Sequence, residues 1–399
     1  MATISPPWER DVGWRSRLIR IGSAQYPYRY GAECLPEIVG ELGALDADQF
    51  FVVTDDTVLG LHGPRLMPDL SQLAPVTVLS QPAGESIKRF GVLGRNLEAM
   101  LEAGATRRSV VLAFGGGAPG NLAGLMAAML YRGVRLVHLP TTTTAAMDSV
   151  LSIKQAINSS RGKNHFGTYH APHSVLADVR LLTSLPDREL RSGLCEAAKN
   201  CLAIEPDVLE DLRALLQRGR LTEPDELLWL LDVSVRAKTL VTADDTCEQR
   251  AGLALEYGHT VGHAVELCDD RPANARLSHG EAIALGMVVA AHLSHRRGWL
   301  NAEQVRLHED IVAALGAPTR LPEHIGVDDV LELVRRDNKR GYLPHEPDEV
   351  PFVLLQQPGR PAGAPDLPLV PVALRDVREV LETVAESRAF GCVAARAVG

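Results

Sequence analysis

The 399-residue chain has no surplus of basic residues, no Cys-x-x-Cys pair and no apolar run approaching the length of a membrane span. Its 41 Lys and Arg face 50 Asp and Glu, a formal net charge of -9. Nothing therefore supplies the broad basic face that general nucleic-acid binding needs. The short apolar runs argue against a membrane partner, and the opening MATISPPWERDVGW has no apolar signal core, so the cytoplasm is the expected compartment. The six cysteines (Cys34, Cys195, Cys201, Cys247, Cys268, Cys392) are expected to be reduced thiols rather than a disulfide frame. Internal repeats are absent too.

What the chain does have is apolar material, 46% of residues against 23% charged, enough for one large or two ordinary cores. After a polar, proline-containing extension through Arg15, the first part reads as α/β. Strands are expected at Leu18 to Ile21, Phe50 to Thr54, Thr77 to Leu79, Ser109 to Phe114 and Arg135 to Leu139. A helix opens at Gly84-Glu85-Ser86-Ile87-Lys88 and runs to about Ala103. Beyond Pro186 the pattern turns helical to about Gly316, which puts the domain boundary near Leu185: an α/β domain over 1–185 and a helical one over 186–399. A basic cluster at 335–340, a proline-rich stretch from Pro344 to Pro371 and a last helix from about Arg375 to Glu386 complete the chain.

Chemistry concentrates in the stretch from Gly252 to Gly286. His259 and His263, four apart, share a helix face, with Glu266 a turn further on. His279 arrives in Ser-His-Gly-Glu at the start of another apolar helix. Glycines 258, 262 and 280 stand beside these imidazoles and permit close approach. A catalytic divalent site needs about three protein ligands and an open position. A further ligand from elsewhere is best sought at Glu196, because Lys199 and Asn200 follow within a turn, although Glu-x-x-Lys is commonly a solvated pair.

The strand at 109–114 delivers Gly115-Gly116-Gly117-Ala118-Pro119-Gly120-Asn121 into a helix. This is the Gly-x-Gly-x-x-Gly pattern with the right flanks for a dinucleotide pyrophosphate, though without the acidic residue about twenty positions on. Asp55 or Glu85 is expected to take the ribose, with Thr141 and Thr142 offering hydroxyls. The segment from Asp148 through Lys154 to Lys163 and Asn164 reads as a β-ribbon carrying those four side chains toward a cleft.

These residues carry a family resemblance. GGGxxGN, PTTTTAAMDSVLSIKQAIN, GKN, CEAAKN, GHTVGHAVE, SHGEA and DNKRGY occur in the order found in the sugar phosphate cyclases, the group that includes dehydroquinate synthase, and span Gly115 to Gly341. The resemblance implies a Rossmann-like nucleotide-binding domain followed by a mainly α-helical metal domain, a homodimer, catalytic NAD, and a divalent metal, Co2+ or Zn2+. It implies that Glu196, His259 and His279 hold the metal. Asp148, Lys154, Asn164, Lys199, Lys238, His263 and Lys339 would line the substrate pocket, and Arg132 would reach a phosphate from the neighbouring subunit. Lys88 and Lys163 join Asp55, Glu85, Gly115, Gly116, Gly117, Gly120, Asn121, Thr141 and Thr142 around the cofactor.

Two departures narrow the substrate. Dehydroquinate synthases have Arg seven residues and Asn three residues before the first metal histidine, where this chain has Gly252 and Glu256. A substrate carboxylate would lose its bidentate partner and meet an acid. The sequence is most similar to members acting on glucose 6-phosphate in 2-deoxystreptamine antibiotic biosynthesis, with Glu256 a candidate for proton handling. The spacer from His263 to His279 is longer than the resemblance leads one to expect for that group. Other readings are a cyclase acting on a heptulose phosphate, a metal-dependent polyol dehydrogenase, and a non-catalytic metal scaffold.

Overall fold

Strands β1 (Arg15–Ile21), β2 (Ala24–Gly31), β3 (Phe50–Asp55), β4 (Val76–Gln81), β5 (Val110–Gly115), β6 (Arg135–Pro140), β7 (Lys154–Ile157), β8 (Phe166–Tyr169) and β9 (Ser174–Asp178) follow one another in the first half of the chain. The computed structural model describes residues 13–386 apart from 161, 220, 273 and 274. Most of the expected N-terminal extension and Cys392 lie outside the described residues.

Seven strands form one sheet in the order β1-β2-β9-β6-β5-β3-β4. β1 and β2 are an antiparallel hairpin, and every other neighbouring pair is parallel. β3 and β5 are buried at each position, as strands covered on both faces must be. Alternate side chains feed two cores. Phe51, Val53, Val111 and Ala113 pack with the helices Phe90–Glu102 and Gly117–Met129, whereas Phe50, Val52, Val110 and Leu112 pack with Leu35–Gly43 and Asp56–Leu73. β3 leads outward to β4 while β5 leads the opposite way to β6, so the strand order reverses between β3 and β5. Open parallel sheets bind ligands at such a point, and Asp55 and Gly115 end those two strands.

The described chain falls into two compact units, one running to Gly193 and including Leu221–Thr239, the other made of Leu194–Arg220 and the chain from Leu240. A single cut after Leu185 does not describe this division. The helix Asp187–Ala203 runs through the dividing point, and most of the helix Pro224–Thr242 returns to the first unit. There its Asp232 accepts from Arg17 at 3.0 Å and from the Tyr30 hydroxyl. The second unit is mainly helical. Its proline-rich stretch nevertheless holds two short antiparallel pairs, Glu349–Phe352 with Val370–Ala373 and Leu355–Gln357 with Arg360–Pro361.

Three local expectations change. Strand β2 was not anticipated, because Pro27 interrupts its sequence, yet Tyr26, Tyr28 and Tyr30 alternate inward along it. The helix opening at Glu85 is a single 3-10 turn, with the α-helix starting afresh at Phe90. The ribbon is only β7 with β8. Asp148 lies ahead of it, where the helix Thr143–Met147 gives way to a 3-10 turn, and Lys163 and Asn164 sit in the connection between its strands.

His138 on β6 is almost fully buried, and burial, with a smaller contribution from His170, pushes its pKa from 6.5 down to about 4. The unfolded chain therefore binds the extra proton first, and stability is lost as pH falls from 6.5 through about 4. The expected slope from this group is up to about 1.4 kcal/mol per pH unit. His138→Gln should flatten that part of a urea-midpoint against pH profile.

Candidate functional site

In the second unit, the helices His259–Cys268 and His279–Arg296 approach through glycine. A Cβ on Gly286 would lie 1.9 Å from the Gly258 carbonyl oxygen, and one on Gly262 would lie 2.9 Å from the Ile283 Cα. Gly258 itself has φ +80°, a backbone that side chains resist. The second helix starts with a reciprocal cap, Ser278 Oγ accepting from the Glu281 N–H while Glu281 Oε2 accepts from the Ser278 N–H at 2.7 Å. Seam and cap together put His279 beside His259 and His263.

The ligating atoms of the three imidazoles fall within 4.8 Å of one another. Glu196 Oε1 lies 3.9 Å from His259 Nε2 and 3.7 Å from His279 Nε2. Two bonds of about 2.1 Å at a tetrahedral angle set donor atoms about 3.4 Å apart, so the spacing suits a shared small cation. The other ring nitrogens are held. His259 Nδ1 faces the Tyr257 carbonyl at 3.2 Å, and His279 Nδ1 faces Glu266 Oε2 at 2.9 Å. Such outer partners fix a ligand's tautomer and leave Nε2 as the donor. Burial, partly opposed by Glu256, pushes His259 down to about 3 and keeps it neutral, as a ligand must be.

Glu196 is not half of a solvated helix pair. It and Lys199 are both almost fully buried, with Lys199 Nζ donating to Glu196 Oε2 at 2.5 Å. One carboxylate oxygen is thereby neutralised by Lys199 while the other faces the imidazoles. His263 stacks on His279 with centroids 5.8 Å apart and meets His259 edge-on at 5.1 Å.

Lys339 is buried and donates to Asp337 Oδ2 at 3.1 Å and Glu256 Oε2 at 3.3 Å. Burial alone would raise the Glu256 carboxyl, but Lys339, His259, His263 and Lys199 together hold it well below the usual carboxylate range. A carboxyl held that low is ionised near neutrality and is suited to accepting hydrogen bonds. Gly252 is no simple vacancy. Asp245 accepts from the backbone N–H groups of Gln249, Arg250 and Gly252 at 2.8–3.0 Å, and a Cβ on Gly252 would lie 2.9 Å from Asp245 Oδ2 and 3.1 Å from Glu248 Cβ. The 245–252 loop occupies the space that a longer side chain at 252 would need.

In the first unit, Gly116 caps the helix Gly117–Met129 without a side-chain hydrogen bond, so the helix amides face outward from the end of β5. A Cβ on Gly117 would meet only Ser149 Oγ, at 3.8 Å, an ordinary contact. The protein's own packing does not require glycine at 117, whereas a pyrophosphate lying on the amides would. Asp55 splits its carboxylate, Oδ1 accepting from the Val58 N–H at 2.9 Å and Oδ2 lying 3.9 Å from the Cβ position of Gly115. The Thr141 N–H donates to the Gly115 carbonyl at 3.0 Å, and its buried Oγ1 has no hydrogen-bond partner among the described residues. Thr142 instead caps the next helix, accepting from Ala145 at 3.1 Å, and Gly120 passes over His138. Backbone amides, a carboxylate and a spare hydroxyl at the strand-order reversal fit a dinucleotide.

Asn121 is anchored to backbone at both ends of its amide. Its Nδ2 donates to the Gly117 carbonyl at 3.0 Å and its Oδ1 accepts from the Ala156 N–H at 3.1 Å, so both ends bind backbone and tie β7 to the glycine helix. Glu85, Lys88 and Asn164 do come together: buried Lys88 donates to Asn164 and lies 3.3 Å from Glu85. Their meeting point is Asn158, which donates to Glu85 at 2.9 Å and accepts from the Asn164 N–H at 2.9 Å. Asn158 was not singled out in the sequence, where it closes a stretch of alternating apolar positions. Lys154 and Lys163 are exposed on the ribbon. Lys238 Nζ donates to Asp148 Oδ1 at 2.6 Å and to the Asp148 carbonyl at 2.7 Å. Arg132 is exposed and follows Tyr131 in a pair of left-handed residues (φ 51° and 67°), a helix length of about 20 Å from the glycine loop.

The chain belongs to the 3-dehydroquinate synthase family. Residues 78–192 match the model of the N-terminal part and residues 193–340 that of the C-terminal part. Within that family its relatives include the 2-deoxy-scyllo-inosose synthase of Micromonospora echinospora, 47% identical over 367 residues that cover 92% of this chain and 91% of the relative. A crystal structure of a 2-deoxy-scyllo-inosose synthase complexed with carbaglucose-6-phosphate, NAD+ and Co2+ superposes with a TM-score of 0.82 at 32% identity, covering 93% of this chain and 100% of the other. The 2-epi-5-epi-valiolone synthase of Streptomyces hygroscopicus, with NAD+ and Zn2+ bound, gives 0.79 at 25% identity, covering 93% and 99%.

Glu196, whose Oε1 lies 3.7–3.9 Å from two of the imidazoles, and His263, whose ring nitrogen clusters within 4.8 Å of theirs, are the two candidates for the third metal ligand. Glu196→Ala should lose the metal, whereas His263→Ala should keep it, as read by metal content after gel filtration. Glu266→Ala should weaken metal binding about 10- to 100-fold through His279. A metal-free His263→Ala variant with a metal-loaded Glu196→Ala variant would reverse the ligand assignment.

Proposed function

We propose that the chain is a carbocycle-forming lyase that converts D-glucose 6-phosphate to 2-deoxy-scyllo-inosose and phosphate in 2-deoxystreptamine aminoglycoside biosynthesis. It uses catalytic NAD and a divalent metal, Co2+ or Zn2+. The carrying observation is the convergence of Glu196 with the Nε2 atoms of His259 and His279. Relatives 46–47% identical over 92% of this chain are 2-deoxy-scyllo-inosose synthases.

When bound, NAD supplies reversible hydride transfer at C4 and the metal supplies Lewis acidity at the sugar hydroxyls. Glu196, His259 and His279 hold the metal, with Lys199 balancing the carboxylate charge. Asp148, Lys238 and Lys199 line the sugar. Glu256, held ionised, accepts a sugar hydroxyl and thereby orients the ring. Lys154 and Lys339, with Arg132 of the partner subunit, neutralise the phosphate, Asn164 and His263 donate hydrogen bonds to it, and its own oxygen can take the C5 proton. Asp55 takes the cofactor ribose, while Glu85, Lys88 and Lys163 complete the cofactor's surroundings.

The reading extends to a cytoplasmic homodimer. Arg132, far along its helix from the glycine loop of its own chain, serves the partner's phosphate. No helix of the described residues is long and apolar enough to cross a membrane.

Incubation with glucose 6-phosphate and NAD should release phosphate and form the carbocycle with no net NADH, whereas a polyol dehydrogenase would accumulate NADH. The carboxylated heptulosonate phosphate of dehydroquinate synthases should be essentially inert. One missing charge-assisted hydrogen bond is worth about 1.5–3 kcal/mol, roughly one to two decades of rate. Efficient dehydroquinate formation would overturn the substrate while leaving family and fold intact. Glu256→Gln should lower turnover far more than it weakens NAD or metal binding. Gly117→Val should abolish NAD binding with metal content unchanged.

A further inference from the structure

Three tyrosines on one strand reach both ends of the Asp148–Lys238 pair. Tyr26, Tyr28 and Tyr30 alternate along β2 and are buried, so their hydroxyls leave one face of the strand at about 6.7 Å intervals. The Tyr26 hydroxyl donates to the Val150 carbonyl at 2.9 Å, and the Tyr28 hydroxyl donates to the Ala146 carbonyl at 2.8 Å. Those carbonyls lie two residues to either side of Asp148. There the chain leaves the helix Thr143–Met147 with φ -138° and ψ -70°, and regular helical hydrogen bonding stops. The Tyr30 hydroxyl donates to Asp232, on the helix that carries Lys238 six residues later. Lys238 closes the circuit on Asp148 Oδ1 at 2.6 Å and on the Asp148 carbonyl at 2.7 Å. The rings of Tyr28 and Tyr30 meet edge-on with centroids 5.6 Å apart, which fixes each hydroxyl relative to the next.

We propose that Tyr26, Tyr28 and Tyr30 are positioning residues that set the geometry of the Asp148–Lys238 pair for catalysis. The proposal rests on the reading of Asp148 and Lys238 as residues that line the sugar. A strand in a sheet core is among the stiffest elements of a fold, and it serves here as a ruler for two segments distant in sequence. Apart from the donated hydrogen bonds, phenylalanine fills the same space, so each Tyr→Phe change tests the bond rather than the packing.

The test uses the full chain loaded with metal and NAD, with turnover expressed per bound metal so that unfolded protein does not count. Tyr28→Phe should lower kcat for phosphate release from glucose 6-phosphate about tenfold, with KM and NAD affinity little changed. Asp148→Asn alone should lower kcat further. In the Asp148→Asn background, the Tyr28→Phe change should then have almost no additional effect, because both act through one group. A purely structural tyrosine would cost the same factor in both backgrounds, and that result would overturn the proposal, as would an unchanged kcat in Tyr28→Phe. Should Tyr28→Phe fail to fold, Tyr26→Phe carries the same cycle from the other side of Asp148. Undiminished turnover in Asp148→Asn is a separate failure: it removes the site reading itself, whatever the tyrosines do.

Discussion

Two helices that touch through backbone set the metal end of this protein. Where Gly258, Gly262 and Gly286 meet, no Cβ separates the chains, and the imidazoles of His259 and His279 are brought close enough to share Glu196 Oε1. The glycines cost helix stability in isolation. The close packing they allow offsets that cost, and it makes the histidine spacing a property of the backbone rather than of flexible side chains. A pair of ordinary helices, 8–10 Å apart, would leave the rings less tightly held.

Charge pairing is the second constraint. Lys88, Lys199, Lys238 and Lys339 are the buried lysines among the described residues, and each has a carboxylate: Glu85, Glu196, Asp148, and Asp337 with Glu256. Burying an ammonium without a partner is prohibitive, so cations suited to an anionic substrate must be kept folded by internal anions. A phosphate arriving beside such a pair competes for a lysine already in use. The oriented charge is in place before the ligand, which is the arrangement electrostatic catalysis rewards.

Much of this was legible in the sequence because it is local. The glycine loop with strand before and helix after, the histidines at a four-residue spacing, and Ser-His-Gly-Glu as a helix start each depend on neighbours within a few positions, and each adopts the expected local form. What was illegible depends on distant partners. The helix Pro224–Thr242 is tied to the first unit by partners far off in sequence, Arg17 and Tyr30 at Asp232 and Asp148 at Lys238. Asn121 ends a glycine motif, and only the position of β7 shows that its amide binds backbone on both sides. The pairing of Glu256 with Lys339, 83 residues on, has no local signature. Strand β2 was hidden by Pro27, though its tyrosine alternation was in plain view.

The loop from Asp245 to Gly252 bears on how substrate choice can change within this family. The Asp245 carboxylate gathers the backbone N–H groups of Gln249, Arg250 and Gly252, and the glycine at the loop's end is closely approached by its own neighbours. A side chain at 252 would press first on Asp245 and Glu248, the residues that shape the loop, before it could reach a ligand. What this position offers a substrate is thus tied to the hydrogen bonds that Asp245 makes to the loop's backbone, and the two have to change together.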